Sequence, residues 1–399
     1  MLVLFLWCMQ NQENYRLNLS RKIKEEPDKI KRQEILAEAK KTDEYEREEL
    51  KHKGIAFEAL IQNQEPWGCF HEDNINENHE RKPATPEQIE DMNKRLSELG
   101  GLFKESDINW HLDGALNISL MNEKYIGNHK DVDLSVDEKD LEKLETQLLK
   151  NGYGLFLSQA EDDGKEKIMR RVGYKHFKNS EAGHPLIAVI DENGIIIDGK
   201  ALNYIDAHII ERNSEGAPLG VSEVVMPEKW GKSYPIDFKE QKINLSHPGK
   251  VLYYKLHQGR DYDITDVQKL IETGKLEAED INDVEKVYED EFLANKELAY
   301  IIFEKVEKEL KANVDEEKIF QALMQQPKFN KTEEMRGSFK SLAKKIFESK
   351  DWSAEAMVNV AIKLFGFEER NNQKKEELSR IKQRVIDIQK LKEIRSQLL

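Results

Sequence analysis

The chain has 399 residues, with 62 Lys+Arg against 77 Asp+Glu and a formal net charge of −15. Charged residues make up 35% and hydrophobic residues 38%, a composition that excludes a collagen-like fibre, a disulfide scaffold and a bundle of membrane spans. It also argues against broad attraction to nucleic acid, which needs a concentrated positive face. Cys8 and Cys69 are the only cysteines, so no disulfide framework or Cys-based metal site is expected. The apolar opening Met1–Met9 is shorter than the roughly 20 residues of a bilayer span and lacks the basic flank of a leader, so a cytoplasmic, membrane-free protein is expected.

Residues 10–55 are rich in Lys, Glu, Arg and Gln, with apolar residues at loosely helical spacing and Pro27 dividing them into two helices. Residues 63–86 read as a linker. Thr85-Pro86-Glu87-Gln88 then opens a helix carrying Ile89, Met92, Leu96 and Leu99, expected to stop at Gly100-Gly101. Between about 108 and 270, short β-rich runs appear at Val132–Val136, Gly154–Leu157, Ile168–Val172, Leu186–Ile190, Ile195–Ile197, Tyr204–Ile210 and Val221–Met226. An amphipathic helix is predicted over 138–150, and Asp191-Glu192-Asn193-Gly194 reads as a hairpin turn.

From about 280 onward the pattern is helical, with apolar faces at Ile301–Leu310, Ile319–Met324 and Phe339–Phe347. A fourth helix is expected from Asp351 to a stop at Gly366. A stripe through Ile381, Val385, Ile388, Leu391, Ile394 and Leu398 makes 375–398 a packed helix or a helical contact with a second copy. The expected class is α+β: a charged helical extension and linker over 1–84, a small mixed β-sheet domain over 85–275 and an all-helical domain over 276–399.

The chemistry concentrates in Trp110-His111-Leu112-Asp113-Gly114-Ala115-Leu116-Asn117 and Gly127-Asn128-His129-Lys130-Asp131-Val132-Asp133-Leu134. On a strand, residues two apart face the same way, so Asp131 and Asp133 present two carboxylates side by side. Two such anions repel unless a cation lies between them, and Mg²⁺ shared with substrate phosphates resolves the repulsion. Asp113-Gly114-Ala115 reads as a strand-to-helix turn whose small residues let backbone N–H groups approach a phosphate. Taken alone, an Asp-x-Asp reads more simply as an exposed strand edge of an acid-rich protein.

Together, the turn and His129-Lys130-Asp131-Val132-Asp133-Leu134 resemble the DNA polymerase beta-like nucleotidyltransferase superfamily. They are most similar to its aminoglycoside and lincosamide branch and to the abortive-infection toxin branch. The resemblance covers roughly 108–275. Where that family carries Gly-Gly or Gly-Ser in the turn, this chain has Gly114-Ala115.

The resemblance implies a nucleotidyltransferase domain that moves a nucleotide, AMP in the expected case, from an NTP such as ATP to a hydroxyl, releasing pyrophosphate. It implies Mg²⁺ held by the catalytic aspartates Asp131, Asp133 and a third carboxylate, for which Asp206 in Tyr204-Ile205-Asp206-Ala207-His208 is the candidate. Without the resemblance, Asp206 reads as an edge-strand acid and His208 as a hydrogen-bonded histidine; Asp191 and Asp198 compete but lie near turns. Gly114, Ala115, His129, Lys130 and Lys255 are the implied nucleotide-binding residues, with Lys255 opening a partly kept Lys255–Asp261 motif. The acceptor is a small molecule, a protein or an RNA end, a long nucleic acid being disfavoured by the charge. The alternative is a non-catalytic or toxin-type (toxin–antitoxin) member of the same fold acting through protein contacts.

Overall fold

The computed structural model of the chain describes residues 58–62, 81–129, 131–160, 166–177, 184–192, 194, 196–197, 199–294 and 354–398. The helices expected over 10–55 and 301–347, most of the 63–86 linker, and Lys130, Asn193, Ile195 and Asp198 lie outside the described residues. The fold is α+β with a mixed sheet, and it divides into two units, Met1–Gly68 with Leu141–Asp206 and Cys69–Asp140 with Ala207–Leu399.

In the first unit the strand order is β1 (Glu58–Gln62), β5 (Glu166–Arg171), β4 (Tyr153–Ala160), β6 (His184–Val189) and β7 (Tyr204–Ile210), every pair antiparallel. The division falls inside β7, after Asp206. Phe156, Met169, Leu186 and Ala188 form a core against which Ile190, Ile196 and Tyr204 pack. The helix Leu141–Lys150 buries Leu141, Leu144 and Leu148, a spacing of three and four that places one apolar stripe on β4. Of the run at Ile195–Ile197, Ile196 makes a single antiparallel bridge to Ile190.

The second unit begins with α1 (Pro86–Leu102), opened by the expected capping box. The Thr85 hydroxyl accepts from the Gln88 N–H, and the Gln88 side chain accepts from the Thr85 N–H. The helix continues through Gly100-Gly101. It ends at Leu102, one residue past the expected stop, and a Cβ on Gly100 would lie 3.1 Å from the Gln241 Cβ, so this glycine also serves close packing on a strand.

There follow β2 (Trp110–Leu112), α2 (Gly114–Met121), β3 (Val132–Asp137), β8 (Tyr234–Phe238) and β9 (Gln241–Leu245). The sheet order runs β7, β3, β2, β9, β8, with β2–β9 parallel and β2–β3 and β8–β9 antiparallel. The β8–β9 hairpin, absent from the sequence reading, turns on Lys239 and Glu240, both at positive φ (43° and 62°). Such loops usually carry Asn or Gly, so this one gave no turn signal.

The run Val221–Met226 is not a strand. Glu223 at φ 58° breaks the extended backbone, leaving a 3₁₀ turn over Val221–Glu223 and one bridge, Leu219 to Val225. The unit then continues through α3 (Pro248–Gln258), α4 (Asp261–Glu272), a helix over 278–294 and α5 (Ala354–Leu398).

Helix α5 passes through Gly366 unbroken. A lone glycine costs about 1 kcal/mol in a helix interior, too little to end one that is anchored further on. The anchor is Leu378, Ile381 and Val385, all buried, with Lys382 donating to Asn282 at 2.7 Å; Leu391, Ile394 and Leu398 are exposed. Among the described residues no helix is long and apolar enough to cross a membrane.

Candidate active site

Strand β2 ends where Asp113 turns the chain into α2, and Gly114 takes φ +65° at the turn. A Cβ on Gly114 would collide with the Asp133 carboxylate. Glycine is therefore required twice, for the left-handed backbone and for the approach of β3. The Asp113 N–H donates to the Asp133 carbonyl at 2.8 Å, which fixes the turn to β3. Ala115, in the first turn of α2, is buried.

On β3, Val132, Leu134 and Val136 are fully buried, so Asp131, Asp133 and Ser135 share the opposite face. On β7, Asp206 and His208 are likewise two residues apart. Asp133 and His208, both in the second unit, belong to a group able to hold a metal ion, their ligand atoms within 4.8 Å of each other. Asp206 pairs with His184 Nε2 at 2.8 Å. Of the three expected aspartates, Asp131 and Asp133 lie in the second unit and Asp206 at the end of the first, and the structure adds His208 beside Asp133. Asp131 is half-buried outside that group, and its charge is felt by the buried Arg95 guanidinium of α1. His129 is buried, its backbone N–H 3.4 Å from the Met92 sulfur.

Lys255 lies in a different neighbourhood. Its ammonium is 2.9 Å from Asp263 and 2.7 Å from Asp266, and Asp266 also accepts from Arg81. Burial opposes the Lys255 charge, but Asp266 and Asp263 outweigh it and raise its pKa. Lys255 therefore joins the segment at Arg81 to α3 and α4.

The residues the sequence reading left without a role are Ser135, Ser246, Lys250 and His111. The Asp113 carboxylate accepts from the hydroxyls of Ser135 and Ser246 and from Lys250 Nζ at 3.1 and 3.2 Å. Burial works against its charge, yet Lys250 and then His208 hold its pKa below the usual value. His111 is fully buried, its Nε2 3.2 Å from Asn109 Oδ1 and its Nδ1 3.4 Å from Ser246 Oγ. Burial, followed by the Lys250 charge, pushes its pKa down to about 3. The one sequence signal for Lys250 was its place in the first turn of a helix opened by His247-Pro248, four residues after Ser246.

Residues 95–179 match the family model of aminoglycoside-2''-adenylyltransferase. The matched segment contains the turn at Gly114 and both Asp131 and Asp133. Over this segment the chain is similar to that family. Asp206, His208 and Lys250 lie beyond the match.

No curated protein sequence matches the chain. Among solved structures, it is similar to the lincosamide antibiotic adenylyltransferase LnuA in its lincomycin-bound form, with 16% identity over 47% of this chain and 97% of that one and a TM-score of 0.29. It is also similar to the antibiotic-resistance factor ANT(2'')-Ia in solution, with 12% identity, 53% and 96% coverage and a TM-score of 0.32. An antigenic nucleotidyltransferase-like protein from Paracoccidioides brasiliensis gives 16% identity, 48% and 78% coverage and a TM-score of 0.28.

Proposed function

We propose that the chain transfers a nucleotide, AMP from ATP, to a hydroxyl of a small-molecule acceptor. The observation that carries this reading is the approach of Asp133 and His208 beside a glycine turn that admits the Asp133 carboxylate. The family match over 95–179 supports the reaction class, and the aminoglycoside in that family's name supports a small hydroxyl-bearing acceptor.

In the proposed reaction the acceptor oxygen attacks the α-phosphorus in line, and the bond from that phosphorus to the bridging oxygen of the leaving pyrophosphate breaks. Asp133 and Asp206 supply carboxylate oxygens suited to Mg²⁺. His208 adds a nitrogen that Mn²⁺ accepts more readily than Mg²⁺ does, and Asp131 is a further oxygen donor. Such a cation would neutralise charge on the phosphate oxygens. The chain's own contribution is positioning. The Gly114 turn sets Asp133, the uncapped first turn of α2 offers backbone N–H groups to phosphate oxygens, and Asp206 or His208 receives the acceptor proton.

The test is pyrophosphate release from ATP with Mg²⁺ and a panel of aminoglycosides and lincosamides. Wild type is expected to release it with at least one acceptor and Asp133→Ala with none. Equal release by Asp133→Ala would overturn the reading.

A further inference from the structure

Asp113 occupies the N-cap position of α2, yet its side chain makes no bond to that helix. It turns to a closed set of donors instead. Oδ1 accepts from Ser246 Oγ and from Lys250 Nζ at 3.2 Å, and Oδ2 accepts from Ser135 Oγ and from Lys250 Nζ at 3.1 Å. Lys250 also donates to Ser135 Oγ at 2.7 Å and to Ser246 Oγ at 3.2 Å. A carboxylate has about four acceptor sites, and four contacts from three groups, Ser135, Ser246 and Lys250, occupy them here. Asp113 is therefore spent, although its charge is felt by His208 of the cation group.

The same residue brackets Asp133. Its N–H holds the Asp133 carbonyl at 2.8 Å, its carboxylate holds Ser135 two residues further along the same face of β3, and the next residue is the glycine that makes room for the Asp133 carboxylate. Lys250 is 2% exposed and provides the positive charge that keeps Asp113 ionised in this buried place.

We infer that Asp113, held by Lys250, is a positioning residue that sets Asp133 for the cation and is not itself a ligand. This inference rests on the cation reading of the proposed function. Groups that orient metal ligands in this way typically change metal affinity by about 10–100-fold when removed.

The experiment titrates the full chain with Mn²⁺ alone, followed by electron paramagnetic resonance, and records thermal midpoints and the kcat and KM of nucleotidyl transfer. Asp113→Asn is expected to weaken Mn²⁺ about tenfold or more and to lower kcat with little change in acceptor KM. Ser135→Ala, which keeps the ion pair, is expected to weaken Mn²⁺ in the same direction while staying folded. The double variant Asp113→Asn/Lys250→Met removes both buried charges; its thermal midpoint is expected to recover while its Mn²⁺ affinity stays low. Recovery of both would mean that Asp113 only neutralises Lys250, which overturns the inference. So would wild-type Mn²⁺ affinity in Asp113→Asn while Asp133→Asn loses it, an outcome that leaves the cation reading standing. A wild-type chain that binds no Mn²⁺ overturns both.

Discussion

Replacing Gly114 with Ala probes the account at its tightest point. Two costs follow from the structure. At φ +65° an L side chain costs about 1–2 kcal/mol. The added methyl would also lie 2.9 Å from Asp133 Cγ and 3.3 Å from its Cβ, so the Asp133 carboxylate must move. A displacement of about 1 Å in a reacting constellation costs on the order of 100-fold in rate, far more than the backbone penalty would suggest. Gly216 gives the matched control: its φ is +83°, but a Cβ there would meet nothing within 4 Å. Pyrophosphate release and thermal unfolding are measured on both variants. Gly114→Ala and Gly216→Ala are expected to lose similar stability, with only Gly114→Ala losing about 100-fold in activity. If Gly114→Ala keeps wild-type turnover, the glycine serves the backbone alone and the link to Asp133 is wrong.

Two further predictions concern stability and pH. His111 is buried with its pKa pushed down to about 3, whereas an unfolded histidine titrates near about 6.5. Between those values the unfolded chain binds the extra proton, so stability falls as pH drops, by up to about 1.4 kcal/mol per unit. Urea titrations from pH 7 to pH 4.5 should show a flatter profile for His111→Gln; an unchanged slope would contradict the assignment. Although burial opposes its charge, Lys255 and then Arg81 hold the Asp266 carboxyl well below the usual range. Its stabilisation is therefore present above the unfolded value of about 3.9 and lost as pH falls towards the folded one. At neutral pH, Asp266→Asn is expected to cost about 3–5 kcal/mol in urea unfolding, since it leaves Lys255 and Arg81 buried with one partner fewer. A loss within experimental error would show that the network adds nothing.

The parts of the fold legible in the sequence were those whose signal is local. The run Tyr204–Ile210 is a strand over its whole length, and the capping box at Thr85 opens α1 where Pro86 and Gln88 announced it. The turn at Gly114 was visible because small residues there have few other uses. Gly366 misled as a stop because a long anchored helix absorbed it, whereas α1 ends at Leu102, one residue past Gly100-Gly101. The β8–β9 hairpin was silent because Lys239 and Glu240 carry its positive φ angles.

At the site, Asp133 and Asp206 could be nominated from their strands, but His208 as a member of the group depends on how β3 and β7 lie side by side. Lys255 was placed by its motif, and tertiary contacts put it between Asp263 and Asp266. Lys250, the cation the structure sets beside Asp113, had no partner within ordinary reach along the chain except Ser246. Long-range ion pairs of this kind leave no periodic trace in a single sequence.

The proposed function rests on one divalent cation held by Asp133 and His208, with Asp206 the further carboxylate expected from the sequence. Mn²⁺ titration of the full chain, read by electron paramagnetic resonance and competed with Mg²⁺, tests it most directly. Wild type is expected to show one Mg²⁺-displaceable site, lost in both Asp133→Asn and Asp206→Asn. Wild-type binding in Asp206→Asn, with loss in Asp133→Asn, would contradict it by showing that the two acids do not share a cation.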